Sequence, residues 1–325
     1  MSRALHFAQE QGRLHSSFGQ LRRQVSESGE QADIELNVAT ALWSQAGQPL
    51  LSAFLTIAND EYAADINEAD FVGDVDSATA EINRWVARRT RDKIQNILPR
   101  GSLSVLTRLV LANAIYFKGA WAGPFDEDFT VAQPFHVSPA RQTEAPLMHQ
   151  FDEAGYMENS EFQAVELPYR GRKLAMLILL PRQMDSCSIL EDRLTPAVLA
   201  RALGKMKQQT VEIFLPRFKL EYGFDLKDAL ARMEMRDAFA PGQADFSGID
   251  GTRRLYIWGV FHKAWGEVNE LGTEAAAATI VPGAACAPQK PPPPPPVFRA
   301  DHPFLFFIRD IRSGTLLFLG RLASP

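Results

Sequence analysis

Four consecutive alanines, Ala275 to Ala278, follow Gly272, Thr273 and Glu274 and give way to Thr279, Pro282 and Gly283. Alanine has the best intrinsic helix propensity. The glycine before this run and the Pro-Gly pair after it nevertheless leave a helical window too short to persist in water. Loop, strand and helical turn are therefore close in free energy here, and side chains this small let the segment slide between two other strands. Alternate residues of a strand share a face. With Thr273 inward, Ala275, Ala277, Thr279 and Val281 also face inward, all uncharged and small or β-branched, while Glu274 faces out. The chain must fold into something that tolerates a segment able to pass from loop to sheet.

With 325 residues, 46% of them hydrophobic, the chain can bury a large core. A net charge of −5 argues against a nucleic-acid footprint, which needs a basic face. The two cysteines, Cys187 and Cys286, lack the spacing of a zinc site, so neither a metal nor a cofactor is expected. A disulfide between them stays open. No apolar run reaches the roughly 18–20 residues that span a bilayer, and residues 1–11 lack the apolar centre of a secretory signal. No Gly-x-Ser-x-Gly elbow, phosphate loop or His-Glu-x-x-His helix is present, so catalysis by this chain is not expected.

Phe7, Leu14, Phe18, Leu21 and Val25 recur at helical spacing. Residues 34–43 mostly alternate and predict a strand. Helices are predicted at 49–59, 76–94, 195–205 and 225–233, with Ile82, Trp85, Val86 and Ile94 on the apolar face of the second. The run 103–117 predicts a buried strand or a helix leading into one. Short strands are expected through 130–182, single strands at 210–220 and 254–269, and a hairpin at 304–309 and 316–322 around Ser313-Gly314. Helices come mostly early and strands mostly late, which is an α+β pattern rather than βαβ alternation. Prolines 291–296 form a stiff spacer, a polyproline II rod of about 3.1 Å per residue. A docking site for a proline-binding domain is the sharper alternative.

Several ordered motifs carry a family resemblance. Leu111-Ala-Asn-Ala-Ile-Tyr-Phe-Lys-Gly-Ala-Trp121 with Pro124-Phe125, Val165-Glu-Leu-Pro-Tyr-Arg-Gly171, Leu215-Pro-Arg-Phe218, Ala244-Asp-Phe-Ser-Gly248 and Phe298-Arg-Ala-Asp-His-Pro-Phe304 occur in family order before Gly320-Arg-Leu-Ala-Ser-Pro325. Together with the alanine segment they resemble the serpins, inhibitors that trap a protease by inserting a cleaved loop into a sheet, a known case of strand addition driven by released strain. The resemblance implies a single α+β domain over 1–325, with a large central β-sheet, smaller sheets, surrounding helices and an exposed reactive loop at 270–297. It also implies an N-terminal truncation, since three helices and a strand normally precede the first helix seen here.

By the same resemblance the hinge is Glu270, Gly272, Thr273, Glu274, Ala275, Ala276, Ala277, Ala278 and Thr279. Family spacing from Glu270 places the reactive bond at Cys286–Ala287, with Ala285–Cys286 as the alternative. Asn113 and His262 match members of a buried polar cluster beneath the sheet; Trp121 matches the packing residue at its top, and Arg217 the partner of Glu270. The implied partner is an endopeptidase that favours small residues, held as a covalent acyl complex by a monomeric inhibitor. Each inserted residue would gain ladder hydrogen bonds of about 1 kcal/mol net. Against insertion stands Pro282, which has no N–H to give a central strand. Gly266 and Leu271 also depart from the family pattern. The alternatives are a non-inhibitory binding or carrier module, whose inward hinge positions are typically bulky or charged, and a non-functional remnant. The resemblance implies an extracellular protein, while the sequence shows no signal peptide and leaves the cytoplasm open.

Overall fold

The computed structural model describes residues 1–29, 34–273 and 294–325. Along the chain the elements are α1 (Gln11–Gly29), β1 (Ile34–Gln45), α2 (Ser52–Asp60), β2 (Asp65–Ala69), α3 (Val75–Arg89), β3 (Leu109–Ala120), β4 (Val131–Ser138), β5 (Arg141–Glu158), β6 (Phe162–Pro168) and β7 (Leu174–Pro181). They continue as α4 (Cys187–Arg193), α5 (Pro196–Lys205), β8 (Lys207–Pro216), β9 (Phe218–Asp225), α6 (Lys227–Arg232), α7 (Ser247–Asp250), β10 (Gly259–Asn269), β11 (Gly272–Thr273), β12 (Val297–Arg299), β13 (Phe304–Asp310) and β14 (Leu316–Leu322). Helices and mixed sheets make this an α+β fold, organised as two compact units.

The first unit holds the described residues of 1–30, 35–117 and 220–265. Its strands run in the order β2-β1-β3-β10-β9. Strands β3 and β10 pair in parallel, Gly259 opposite Val110 through to Trp265 opposite Tyr116. Helix α3 begins where the Asp74 carboxylate accepts from Ser77 N–H, an N-cap. It lays Ile82, Trp85 and Val86 against Trp43, Ala112, Ala114, Phe261 and Trp265. Full burial of aliphatic side chains such as Ile82 and Val86 stabilises by about 1.5–3 kcal/mol each. A second cluster packs Leu42 and Leu109 with Met235, Phe239 and Ile257.

The second unit holds 118–219 and the described residues of 266–325, with Ile34. Its strands run β12-β8-β5-β6-β7-β13-β14, and β4 pairs β5. All eight residues of β7 are buried, which explains their unbroken apolar sequence. Helices α4 and α5 cover β6, β7 and β13 through Leu190, Val198, Ala202 and their neighbours.

Several predicted elements have different ends. Helix α3 stops at Arg89 rather than residue 94, because the Thr90 hydroxyl bonds the Val86 carbonyl at 2.9 Å and accepts from Ile94 N–H at 3.2 Å, closing the last turn. The run 103–117 yields a strand only from Leu109. Ser104 N–H and the Thr107 hydroxyl form a local turn at 3.0 Å that competes with a ladder. Residues 210–220 are two strands broken at Arg217, whose N–H donates to Pro146 O. Strand β10 starts at Gly259 rather than 254: Ile257 gives its N–H to the Ala238 carbonyl, outside any strand, and the ladder with β3 begins only where Trp258 N–H meets the Leu109 carbonyl. The first helix starts at Gln11; Phe7 lies before it and meets Phe18 edge-on at 5.4 Å.

Candidate functional site

In the second unit, β11 is only two residues long and sits antiparallel between the C-terminal ends of β3 and β10. Gly272 lies opposite Ala120 and Asn269, and Thr273 opposite Gly119 and Val268. The chain reaches this slot through a tight reversal after Asn269. There Leu271 N–H bonds the Asn269 side chain at 3.1 Å, while Trp121 and Phe125 donate their N–H groups to the carbonyls of Leu271 and Glu270. Gly272 has φ +147°, and a Cβ there would stand 2.1 Å from the Gly119 carbonyl oxygen. Only glycine fits this approach.

Thr273 is buried, and its hydroxyl lies 2.9 Å from that of Tyr169. Tyr169 is fully buried and stacked on Trp121, with ring centroids 4.7 Å apart. Trp121 in turn donates its indole N–H to the Asn269 carbonyl at 3.0 Å. Burial raises the Tyr169 phenol well above its ordinary value, and the Thr273 hydrogen bond lowers it by less. The hydroxyl pair is therefore neutral at every physiological pH.

Glu270 precedes this slot with only 3% of its side chain exposed, and its carboxylate accepts from Arg217 Nε at 2.6 Å and from the Thr130 hydroxyl. A buried charge needs this kind of double satisfaction.

In the first unit, His262 Nδ1 lies 2.8 Å from Asn113 Oδ1, while Asn113 Nδ2 donates to Thr40 Oγ1 at 2.8 Å. The amide orientation makes the imidazole Nδ1–H the donor. Phe224 packs edge-on to the ring at 5.5 Å. Burial lowers the His262 pKa below its usual value, favouring the neutral ring.

Of the predicted site residues, Glu270, Gly272, Thr273, Trp121 and Arg217 converge in the second unit, and Asn113 and His262 meet in the first. Glu274, Ala275, Ala276, Ala277, Ala278, Thr279, Cys286 and Ala287 lie outside the described residues, as does any pairing of Cys286. Cys187 is a buried free thiol pushed up to about 11 by burial. Sequence reasoning missed Tyr169, Thr130 and Thr40. The first stands in the quoted Val165 motif, but nothing in that motif points to a hydroxyl 104 residues away. Among the described residues no acidic, histidine or cysteine cluster could hold a metal, and no helix is long and apolar enough to cross a membrane.

The two-residue strand β11 and the side chains around it sit in a chain of a known class. The family model for serpins, serine protease inhibitors, matches residues 1–325, and the chain belongs to that family. It is 40% identical to Serpin B8 of Bos taurus over 328 residues, covering 100% of this chain and 86% of the relative. It is 37% identical to leukocyte elastase inhibitor of Homo sapiens over 340 residues, with the same two coverages. Among solved structures it resembles Serpin48, described as a highly specific serpin of Tenebrio molitor, with a TM-score of 0.86 and 29% identity over 100% of this chain and 84% of that one. It also resembles human thyroxine-binding globulin complexed with thyroxine, with a TM-score of 0.85 and 25% identity over 96% and 80%. The family and its inhibitor members mark the chain as an inhibitor rather than a catalyst.

Proposed function

We propose that this chain is an irreversible, monomeric suicide-substrate inhibitor of a serine or cysteine endopeptidase. The peptidase nucleophile attacks the carbonyl of Cys286, the Ala287 amine leaves, and an acyl-enzyme remains on the freed hinge. Residues 274–281 then extend β11 and separate β3 from β10. The acylated peptidase is carried along before water reaches the ester. The observation that supports this most is β11 itself: two hinge residues already stand in register between β3 and β10. Were the strand to lengthen on insertion, the period of two would turn Ala275, Ala277, Thr279 and Val281 inward, all uncharged and small or β-branched. Pro282 gives up one ladder bond, a cost of about 1 kcal/mol that the preceding bonds outweigh. Ala284, Ala285 and Cys286 suit a shallow specificity pocket, and the named similarity to leukocyte elastase inhibitor points the same way.

A second reading, a binding or carrier module, draws on the likeness to thyroxine-binding globulin. The two differ in one measurement, the melting temperature before and after a nick in the loop. Insertion raises it sharply, and an SDS-stable complex with the attacking peptidase accompanies the rise. An unchanged melt, with the peptidase released active, would overturn the inhibitor reading.

A further inference from the structure

The second unit carries an apolar strip that the reactive-loop reading does not use. Val131 of β4, Phe151 of β5 and Val297 of β12 are large side chains, each roughly half exposed, and so is Phe129 just before β4. Cross-strand partners and alternate residues share a face. His149 stands opposite Phe214, and Arg299 stands opposite Phe214 from the other side, so the strip continues across β5, β8 and β12.

It is a preordered surface. The His149 ring stacks on Phe214 at 4.3 Å, and the Arg299 guanidinium lies 3.8 Å over the same ring. Phe151 and Phe129 meet His149 edge-on at 5.3 and 6.4 Å. The Arg299 side chain is held by Gln133 at 2.6 Å and His149 by Glu212 at 3.1 Å, giving the strip a satisfied polar rim. Exposed aromatics beside a fixed arginine are the composition of an interface hot spot, and contiguous exposed apolar side chains mark interaction surfaces.

Position says what covers it. Strand β12 is where the chain returns from the loop, and Glu212 N–H pins the Pro296 carbonyl at 3.0 Å just before it. Val297 lies ten residue steps beyond Ala287, about 33 Å at full stretch. An endopeptidase of roughly 220 residues has a radius of gyration of about 17 Å, so its body is as broad as that tether is long. A peptidase gripping the loop at Ala287 is held beside Val297.

We propose that this strip is a second contact for the peptidase that attacks the loop, receiving an apolar patch on the rim of its cleft, on the side that binds residues after the cut. The proposal rests on the reading of 270–297 as the reactive loop, and the test separates the two. The rate of loop cleavage or trapping by leukocyte elastase and by subtilisin is measured for the wild type, for Phe129→Ser/Phe151→Ser/Val297→Ser, and for a free peptide spanning 270–297. The triple variant should react at least tenfold more slowly at an unchanged melting temperature, approaching the peptide. Equal rates for wild type and variant overturn the proposal. A wild type cut quickly but without trapping overturns the inhibitor reading alone, and the rate comparison still judges the strip. Absence of any cut in 270–297 by either enzyme overturns both. Wild-type dimers in sedimentation that the triple variant dissolves would assign the strip to a second copy and overturn the proposal.

Discussion

The hydroxyls of Thr273 and Tyr169 lie 2.9 Å apart, both buried, under the stacked rings of Tyr169 and Trp121. Deleting one partner of a buried hydrogen bond costs about 1–3 kcal/mol, whereas removing both with shape kept is close to neutral. Tyr169→Phe and Thr273→Val should therefore each lower stability by about 1–2 kcal/mol, and the double variant should recover most of the loss. Denaturant midpoints of the four proteins form the cycle, and additive losses would mean the pair is not coupled.

Arg217 and Glu270 divide their burial unequally, with side chains 42% and 3% exposed. Arg217→Ala strands a buried carboxylate whose remaining side-chain partner is the Thr130 hydroxyl, while Glu270→Gln leaves a guanidinium that water can reach. We expect the first to cost about 3 kcal/mol, the low end for a broken buried pair, and the second clearly less. Equal losses in chemical denaturation would contradict the asymmetry.

These two pairs also mark what the chain discloses before folding. The hairpin at 304–309 and 316–322 was legible because strand alternation and a Ser-Gly turn are local signals, and the observed strands differ from it by one residue. The early stop of α3 was not, because it depends on a single threonine hydroxyl bonding four residues in each direction. At the site, the convergence of Glu270 with Arg217 and of Asn113 with His262 was expected from the ordered motifs. The roles of Tyr169 and Thr130 were not, since their partners lie 104 and 140 residues away and only tertiary packing brings them together.

Gly272 should tolerate no side chain. Its φ of +147° is strained for an L residue, and the Cβ would collide with backbone, which cannot rotate aside. Gly272→Ala should destabilise the slot by more than about 1 kcal/mol and expel β11. Amide exchange reads this directly: protection at Thr273 should collapse while protection in β7 stays. Retained protection at Thr273 would mean that the two-residue strand does not need this approach.

The His262–Asn113–Thr40 chain should make the first unit sensitive to acid. Burial holds the folded imidazole pKa below its ordinary 6.5. Between the two values the unfolded chain binds the proton and the folded one does not, so stability falls as pH falls. The contribution is complete above about pH 6.5 and is lost as the pH drops through the folded value. Phe224 is the aromatic neighbour of the ring and Asn113 its hydrogen-bond partner, both uncharged, so neither offsets the proton's charge. His262→Gln keeps a side-chain donor for Asn113 without a titrating group. Melting temperatures from pH 7.5 to 5 should decline less steeply for that variant than for the wild type. Parallel declines would place the acid sensitivity elsewhere in the chain.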